Sequence, residues 1–230
     1  MKTVTNIFSS HVLQGLIVAL FSAVYYAQYI NSGFNFSDAG NYAQICYELF
    51  LGRDPAELAI GYGILWFKVG ELLFRIFGVD YTLVKLLFFL CIVVTNVLVF
   101  YVVSLATGSR FIAFIAASIS ALVPAFPATS FYALCILLNA FAQMRLARGS
   151  LRFWDVAFAG AALSFTFQIR PDFGYVFVVP LVALIVLAVF EQRGRLSVLA
   201  SAAFSGFLAT LLFGALAAIV GGYGAVFLQP

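Results

Sequence analysis

Charge is what this sequence lacks. Of its 230 residues only 9% are charged, 12 basic and 9 acidic, whereas a soluble domain carries about 25%. A water-soluble domain of this length needs a charged shell, and so few charged side chains cannot coat a surface otherwise made of Phe, Leu, Ala and Val. The shortage excludes an ordinary cytosolic protein, and the solvent is expected to be lipid. Three cysteines are too few for a disulfide framework, and a single histidine cannot make a metal site. Gly and Pro follow no triplet period, which excludes collagen, and a hydrophobic content of 64% excludes disorder. A formal charge of +3 is too small to argue for a nucleic-acid partner.

What is present is a series of long apolar runs. A bilayer core of about 30 Å takes about 20 apolar residues per helix. The runs His11 to Ile30, Tyr81 to Leu105, Phe111 to Ala125, Thr129 to Met144, Phe153 to Ile169, Asp172 to Phe190 and Leu196 to Val220 predict about seven spans. The expected fold class is therefore all-α, a polytopic transmembrane helical bundle. An eighth stretch, Gly61 to Gly78, carries Lys68, Glu71 and Arg75 at helical spacings of three and four. At mid-membrane each charge costs about 2.5–3.5 kcal/mol. A helix lying in the interface keeps them wet and buries Leu65, Leu72, Leu73 and Ile76, so this stretch is predicted to be interfacial.

The placement of Lys and Arg agrees with that choice, because cytoplasmic loops hold the excess. With Gly61 to Gly78 on the surface and the N-terminus inside, Lys2, Arg110, Arg145, Arg148, Arg152, Arg193 and Arg195 all fall inside. The outside then has Arg53, Lys68, Arg75 and Lys85, in or beside an acidic first loop from about Asn31 to Asp80, together with Arg170. Were the stretch to span, the cluster Arg145, Arg148 and Arg152 would land outside. One membrane domain over residues 1–230 is expected, with a retained first helix rather than a cleaved signal peptide.

Polar residues concentrate in the first outside loop. Ser37 and Asp38 suit the N-cap of the helix that follows, and Asp38 is also placed to act as a general base at the outer surface; both roles are compatible. Arg170, in Thr166-Phe-Gln-Ile-Arg-Pro-Asp, stands at the outer end of the fifth span. It either reaches to the headgroups or pairs with Asp172, or it clamps a lipid-linked phosphate, to which a permanently charged guanidinium makes bidentate bonds. Lys85, one turn into the second span, is a lesser version of the same idea. Cys46, Cys91 and Cys135 read as small hydrophobes. Asn96, Asn139 and Gln143 read as interhelical hydrogen-bonding groups, and Pro180 as a kink. No phosphate-binding Gly loop, Ser/His/Asp set or Cys pair is present.

The layout resembles a known family. The segments that carry the likeness are Ser37-Asp-Ala-Gly-Asn-Tyr, Leu51-Gly, Gly63-Ile-Leu-Trp-Phe-Lys-Val-Gly-Glu-Leu-Leu-Phe-Arg-Ile-Phe-Gly-Val-Asp, Lys85, and Ala159-Gly-Ala-Ala-Leu-Ser-Phe-Thr-Phe-Gln-Ile-Arg-Pro. In that order they look like the N-terminal membrane module of GT-C fold glycosyltransferases, in the branch of the protein O-mannosyltransferases and lipid A aminoarabinose transferases. The resemblance implies an enzyme of the bacterial inner membrane, N-terminus cytoplasmic, that moves a sugar from a polyprenyl-phosphate carrier to an acceptor glycan, lipid or protein on the outer face. It implies Asp38 as the catalytic carboxylate, Arg170 as the contact to the carrier phosphate, and Lys85 and Tyr42 as further substrate contacts. It implies no cofactor: other branches hold a divalent ion on acidic pairs, and no such pair stands beside Asp38. The basic-Pro-Pro element of many members is replaced here by Ala59-Ile-Gly-Tyr-Gly. The family's chains are also longer, so the expectation is a fragment or a reduced relative that works with a partner. The competing class is a non-catalytic membrane protein such as a lipid-carrier translocator or an assembly subunit.

Overall fold

The computed structural model describes residues 11–30, 38–58, 64–122, 130–148 and 153–191. Among the described residues there are eight α-helices and no strand. They are α1 (His11–Ala27), α2 (Asp38–Phe50), α3 (Leu65–Phe77), α4 (Tyr81–Thr107), α5 (Arg110–Leu122), α6 (Ser130–Arg148), α7 (Phe153–Ile169) and α8 (Pro171–Glu191), with a short 3₁₀ turn at Pro55–Glu57. The expected seventh span, Leu196 to Val220, lies outside the described residues. Among the described residues two helices, α4 and α6, are long and apolar enough to cross a membrane.

Local sequence sets the helix ends. Asp80 accepts a hydrogen bond from the Thr82 amide at 2.8 Å and so caps α4. Gly108, left-handed at φ 71°, ends the helix by donating its N–H to the Ser104 carbonyl. Between these ends α4 runs 27 residues, about 40 Å at 1.5 Å per residue. It is the central helix, packing against α1, α5 and α6, while α6 in turn packs against α7 and α8. The close-packed seam of α1, α4 and α5 is built from Val18, Phe100, Ala113 and Ala117. The small residues Ala113 and Ala117 let the α5 backbone approach its neighbours closely.

The polar residues of these helices mostly face one another. Asn96 on α4 accepts from the Ser120 hydroxyl on α5 at 2.8 Å, and the Asn139 amide on α6 donates to the Thr166 hydroxyl on α7 at 2.6 Å. Gln143 donates to the Phe177 carbonyl on α8 at 3.0 Å, one turn before Pro180. A proline leaves carbonyls of the preceding turn short of partners, and a neighbouring helix can supply one.

The contacts define two ends of the bundle. At one end the Tyr101 hydroxyl donates to the His11 carbonyl, Arg148 to the Ala106 carbonyl at 3.4 Å, and Arg145 pairs with Asp155 at 2.7 Å. At the other, Lys85 donates to the Ile30 carbonyl at 3.2 Å and Ser130 to the Phe88 carbonyl at 3.4 Å. Helices α2 and α3 pack on each other and close this second end against α4 and α7.

Helix α3 corrects one expectation. Its 13 residues rise about 20 Å, too little to cross a hydrocarbon core of about 30 Å. Its charges, however, are not all left in water: Glu71 is buried and Lys68 largely so, while Arg75 stays exposed. The helix buries Trp66, Phe67, Gly70, Glu71 and Phe74 against the protein, and leaves Leu72, Ile76 and Phe77 exposed. The reason is neutralisation within the helix. Glu71 is flanked by Lys68 and Arg75, each 2.8 Å away, three residues before and four after it. The Arg75 contact is also a directed hydrogen bond from Nε at 2.8 Å, whereas that of Lys68 is one of charge to charge. A carboxylate so paired loses much of its burial penalty, and the aromatic residues decide which face turns inward.

Candidate functional site at the end of the bundle

Arg170 stands in a one-residue joint between two helices. Proline at 171 disfavours the helical conformation for the residue before it, so α7 stops at Ile169, and the same proline is suited to open α8. Arg170 closes one helix and starts the next: its N–H donates to the Thr166 carbonyl at 2.7 Å, and its carbonyl accepts from the Gly174 N–H at 3.1 Å. A side chain at such a joint projects from the end of the bundle. Gly174 lets the joint close, because the Phe167 ring occupies the space a Cβ would need.

The guanidinium is held on several sides. Nε and Nη2 donate to the two carboxylate oxygens of Asp172 at 2.8 and 2.6 Å, a bidentate pair. Its carbon lies 4.6 Å from the Tyr132 ring centroid and 4.9 Å from that of Phe173. The Asp172 carboxylate first, and the Tyr132 hydroxyl after it, hold the guanidinium's pKa above its ordinary value against partial burial. Arg170 remains a fixed positive charge. Of the two structural roles expected for it, headgroup contact and pairing with Asp172, the pairing is present.

Tyr132 leads from this charge into the loop helices. Its hydroxyl lies 2.8 Å from that of Tyr42 on α2. Tyr42 is buried, stacks on Phe67 of α3 at 5.2 Å and meets Phe131 edge-on at 5.5 Å. Trp66 stacks on Phe131 at 4.9 Å. Two residues singled out in the sequence, Tyr42 and Arg170, thus meet through a third that was not. Tyr132 sits in the first turn of an apolar run, where a tyrosine looks like any interfacial aromatic residue. The signal available was its topology, since α6 begins at the end where Arg170 lies.

The other two candidates stand differently. Asp38 opens α2, one helical turn before Tyr42, at the positive end of the helix dipole where a carboxylate is favoured; its side chain lies outside the described residues. Lys85 is half-buried and its ammonium is directed to the Ile30 carbonyl, just beyond the end of α1, which gives it a part in joining α1 to α4. One turn from the joint, the Thr166 hydroxyl accepts from Asn139 and donates to the Ala162 carbonyl at 2.9 Å, fixing α7 on α6. Among the described residues no group of three or more His, Cys, Asp or Glu side chains converges as metal ligands would.

What the arrangement offers chemically is a permanent cation framed by aromatic rings, adjoining a helix headed by a carboxylate residue. Comparison of the chain with protein-family models, with curated proteins and with solved structures gives no match to any of them.

Proposed function

We propose that this chain is a seven-span protein of the bacterial inner membrane with its N-terminus in the cytoplasm, and that it transfers a sugar from a polyprenyl-phosphate carrier to an acceptor at the outer face. The observation that carries the reading is the seat of Arg170. A guanidinium at a helix joint, partly buried between two rings, suits the phosphate of a lipid whose tail lies alongside the bundle. The sorting of charge supports the sidedness: Arg145, Arg148 and Arg110 belong to the end opposite Arg170.

In this reading the acceptor hydroxyl or amine attacks the anomeric carbon, and its proton passes to the Asp38 carboxylate. The bond between that carbon and the phosphate oxygen breaks, and the electron pair leaves with the polyprenyl phosphate. Arg170 stabilises the charge that grows on the leaving phosphate, a contribution available only if the cation is fixed before the reaction begins. Lys85 adds positive potential at the same outer end, and Tyr42 contributes to the wall of the donor site.

The test is transfer by the purified full chain in phosphatidylcholine nanodiscs, supplied with a panel of polyprenyl-phosphate sugars together with glycan, lipid and peptide acceptors bearing free hydroxyls or amines, and followed by release of polyprenyl phosphate. Asp38→Asn is expected to lower the rate by about 10²-fold or more, the usual contribution of a positioned general base. Equal rates for the variant and the native chain would remove Asp38 from the mechanism. Lack of release from every donor in the panel would remove the transferase reading itself.

A further inference from the structure

We propose that Tyr132 is a positioning residue: it holds Arg170 in place for the carrier phosphate and, through its hydroxyl contact with Tyr42, ties that cation to the helix headed by Asp38. The inference rests on the reading of Arg170 as the phosphate contact.

Arginine has three sp³ torsions before its planar head, and a side chain free to sample them would lose that freedom each time a phosphate bound. Three neighbours restrict it here. Asp172 is more than half exposed, at 55% of its side chain, so its carboxylate is open to water and can exchange a guanidinium for solvent. Phe173 follows Asp172 on the same first turn of α8 and moves with it. Tyr132 belongs to a different helix, is half-buried, and packs edge-on against Phe131 at 4.3 Å and Phe173 at 6.0 Å. It is the wall that stays when Asp172 gives way to a phosphate.

The hydroxyl carries the second half of the argument. For packing alone a phenylalanine would serve, with the same ring over the guanidinium. The 2.8 Å contact with the Tyr42 hydroxyl spans α6 and α2, far apart in sequence, and Tyr42 is itself fixed by Phe67 and Phe131. A hydrogen bond between two ordered rings is directional, so it sets the distance between the joint at Arg170 and the first turns of α2. The two ends of the reaction, the leaving phosphate and the acceptor's base, would thereby be held in one register.

The experiment measures binding of undecaprenyl phosphate, with undecaprenol as the phosphate-free control, to the full chain in phosphatidylcholine nanodiscs. The chain has two tryptophans, so Trp154→Phe leaves Trp66, stacked on Phe131 beside Tyr132, as the fluorescent reporter. In that background Tyr132→Phe and Tyr42→Phe are each expected to weaken phosphate-dependent binding about fivefold, the effect of one hydrogen bond of about 1 kcal/mol. Their combination is expected to be no weaker than Tyr132→Phe alone, since that variant already lacks the hydroxyl contact with Tyr42. The change in Trp66 emission on binding should still appear in all three, at correspondingly higher concentrations of undecaprenyl phosphate. A merely structural tyrosine would instead lower thermal stability without this shared, non-additive loss. Binding by Tyr132→Phe equal to that of the parent, while Arg170→Ala loses it, overturns the positioning role and leaves the phosphate reading standing. Equal binding of undecaprenyl phosphate and undecaprenol, or unchanged binding by Arg170→Ala, overturns the phosphate reading and this inference with it.

Discussion

Two side chains show how far burial changes chemistry at a single residue. Cys46 on α2 is almost wholly buried, and desolvation of its thiolate, with the Glu71 carboxylate adding to it, pushes the thiol up to about 12. The thiolate is the reactive form. The native chain is therefore expected to resist maleimide at Cys46 at pH 8 and to be modified there only after denaturation, as peptide mass mapping would show; ready labelling of the folded chain would contradict the packing of α2 on α3. Asp80 is the opposite case, fully exposed and useful only as a cap. The Thr82 backbone N–H holds its carboxyl below the ordinary carboxylate value. A depressed folded value means that the stabilisation is present above the unfolded value, near pH 4, and is lost as pH falls through the folded one. Asp80→Ala should therefore melt earlier than the native chain at pH 7, and the gap between the two melting curves should narrow as the pH is lowered below the ordinary carboxylate value.

At the scale of elements, the loop helices α2 and α3 are a pair whose fit depends on one glycine. A Cβ at Gly70 would run into the Cys46 sulfur, and the next atom in its path is the Cys46 Cβ at 3.1 Å. Alanine is intrinsically better in a helix than glycine by about 1 kcal/mol, but overpacking costs about 1–3 kcal/mol. Gly70→Ala should thus lower the melting temperature, and adding Cys46→Ala should recover most of the loss, because the new methyl then fills the space the sulfur left. Glu71 supports the same interface in another way. Its removal as Glu71→Gln would leave Lys68, 15% exposed, without its buried counter-charge. Loss of about 2 kcal/mol is expected, below the usual figure of about 3–5 for a buried pair because Arg75 is half in solvent. Guanidinium-free urea melts in mild detergent would read it, and a neutral effect would show that the carboxylate is hydrated after all.

The sequence made these elements legible where an apolar run ended in a recognisable signal. The run from Phe153 to Ile169 became a helix of those limits, stopped by Pro171, and the run from Tyr81 ended at Thr107, two residues beyond its expected end, with Gly108 as its cap. The inward face of α3 was not legible. Two apolar stripes flank its charges, and periodicity does not say which meets the rest of the protein and which is left exposed. Tyr132 was not legible as a site residue for a related reason: the meaning of a ring depends on what stands across from it, and Tyr42 is 90 residues away in the chain.

For the whole molecule, the two ends of the bundle make the proposed sidedness testable. Cys46, Cys91 and Cys135 are all buried, so a single introduced cysteine can be labelled against a quiet background. Asp54→Cys, at an exposed turn after α2, is expected to react with a membrane-impermeant maleimide applied to intact spheroplasts. Arg148→Cys, exposed at the opposite end, should react only after permeabilisation. The reverse pattern would invert the topology and place Arg170 on the cytoplasmic side. By itself the sequence determined that the chain is helical and that lipid is its expected solvent, because 9% charge cannot cover a soluble surface and apolar periodicity is local. Only the tertiary structure decided that Glu71 is neutralised inside the fold and that Arg170 and Tyr42 share a neighbour in Tyr132. The ion pairs of Glu71 are local to one helix, but its burial, like the ring and hydroxyl contacts of Tyr132, depends on which helices meet, and no local pattern encodes that.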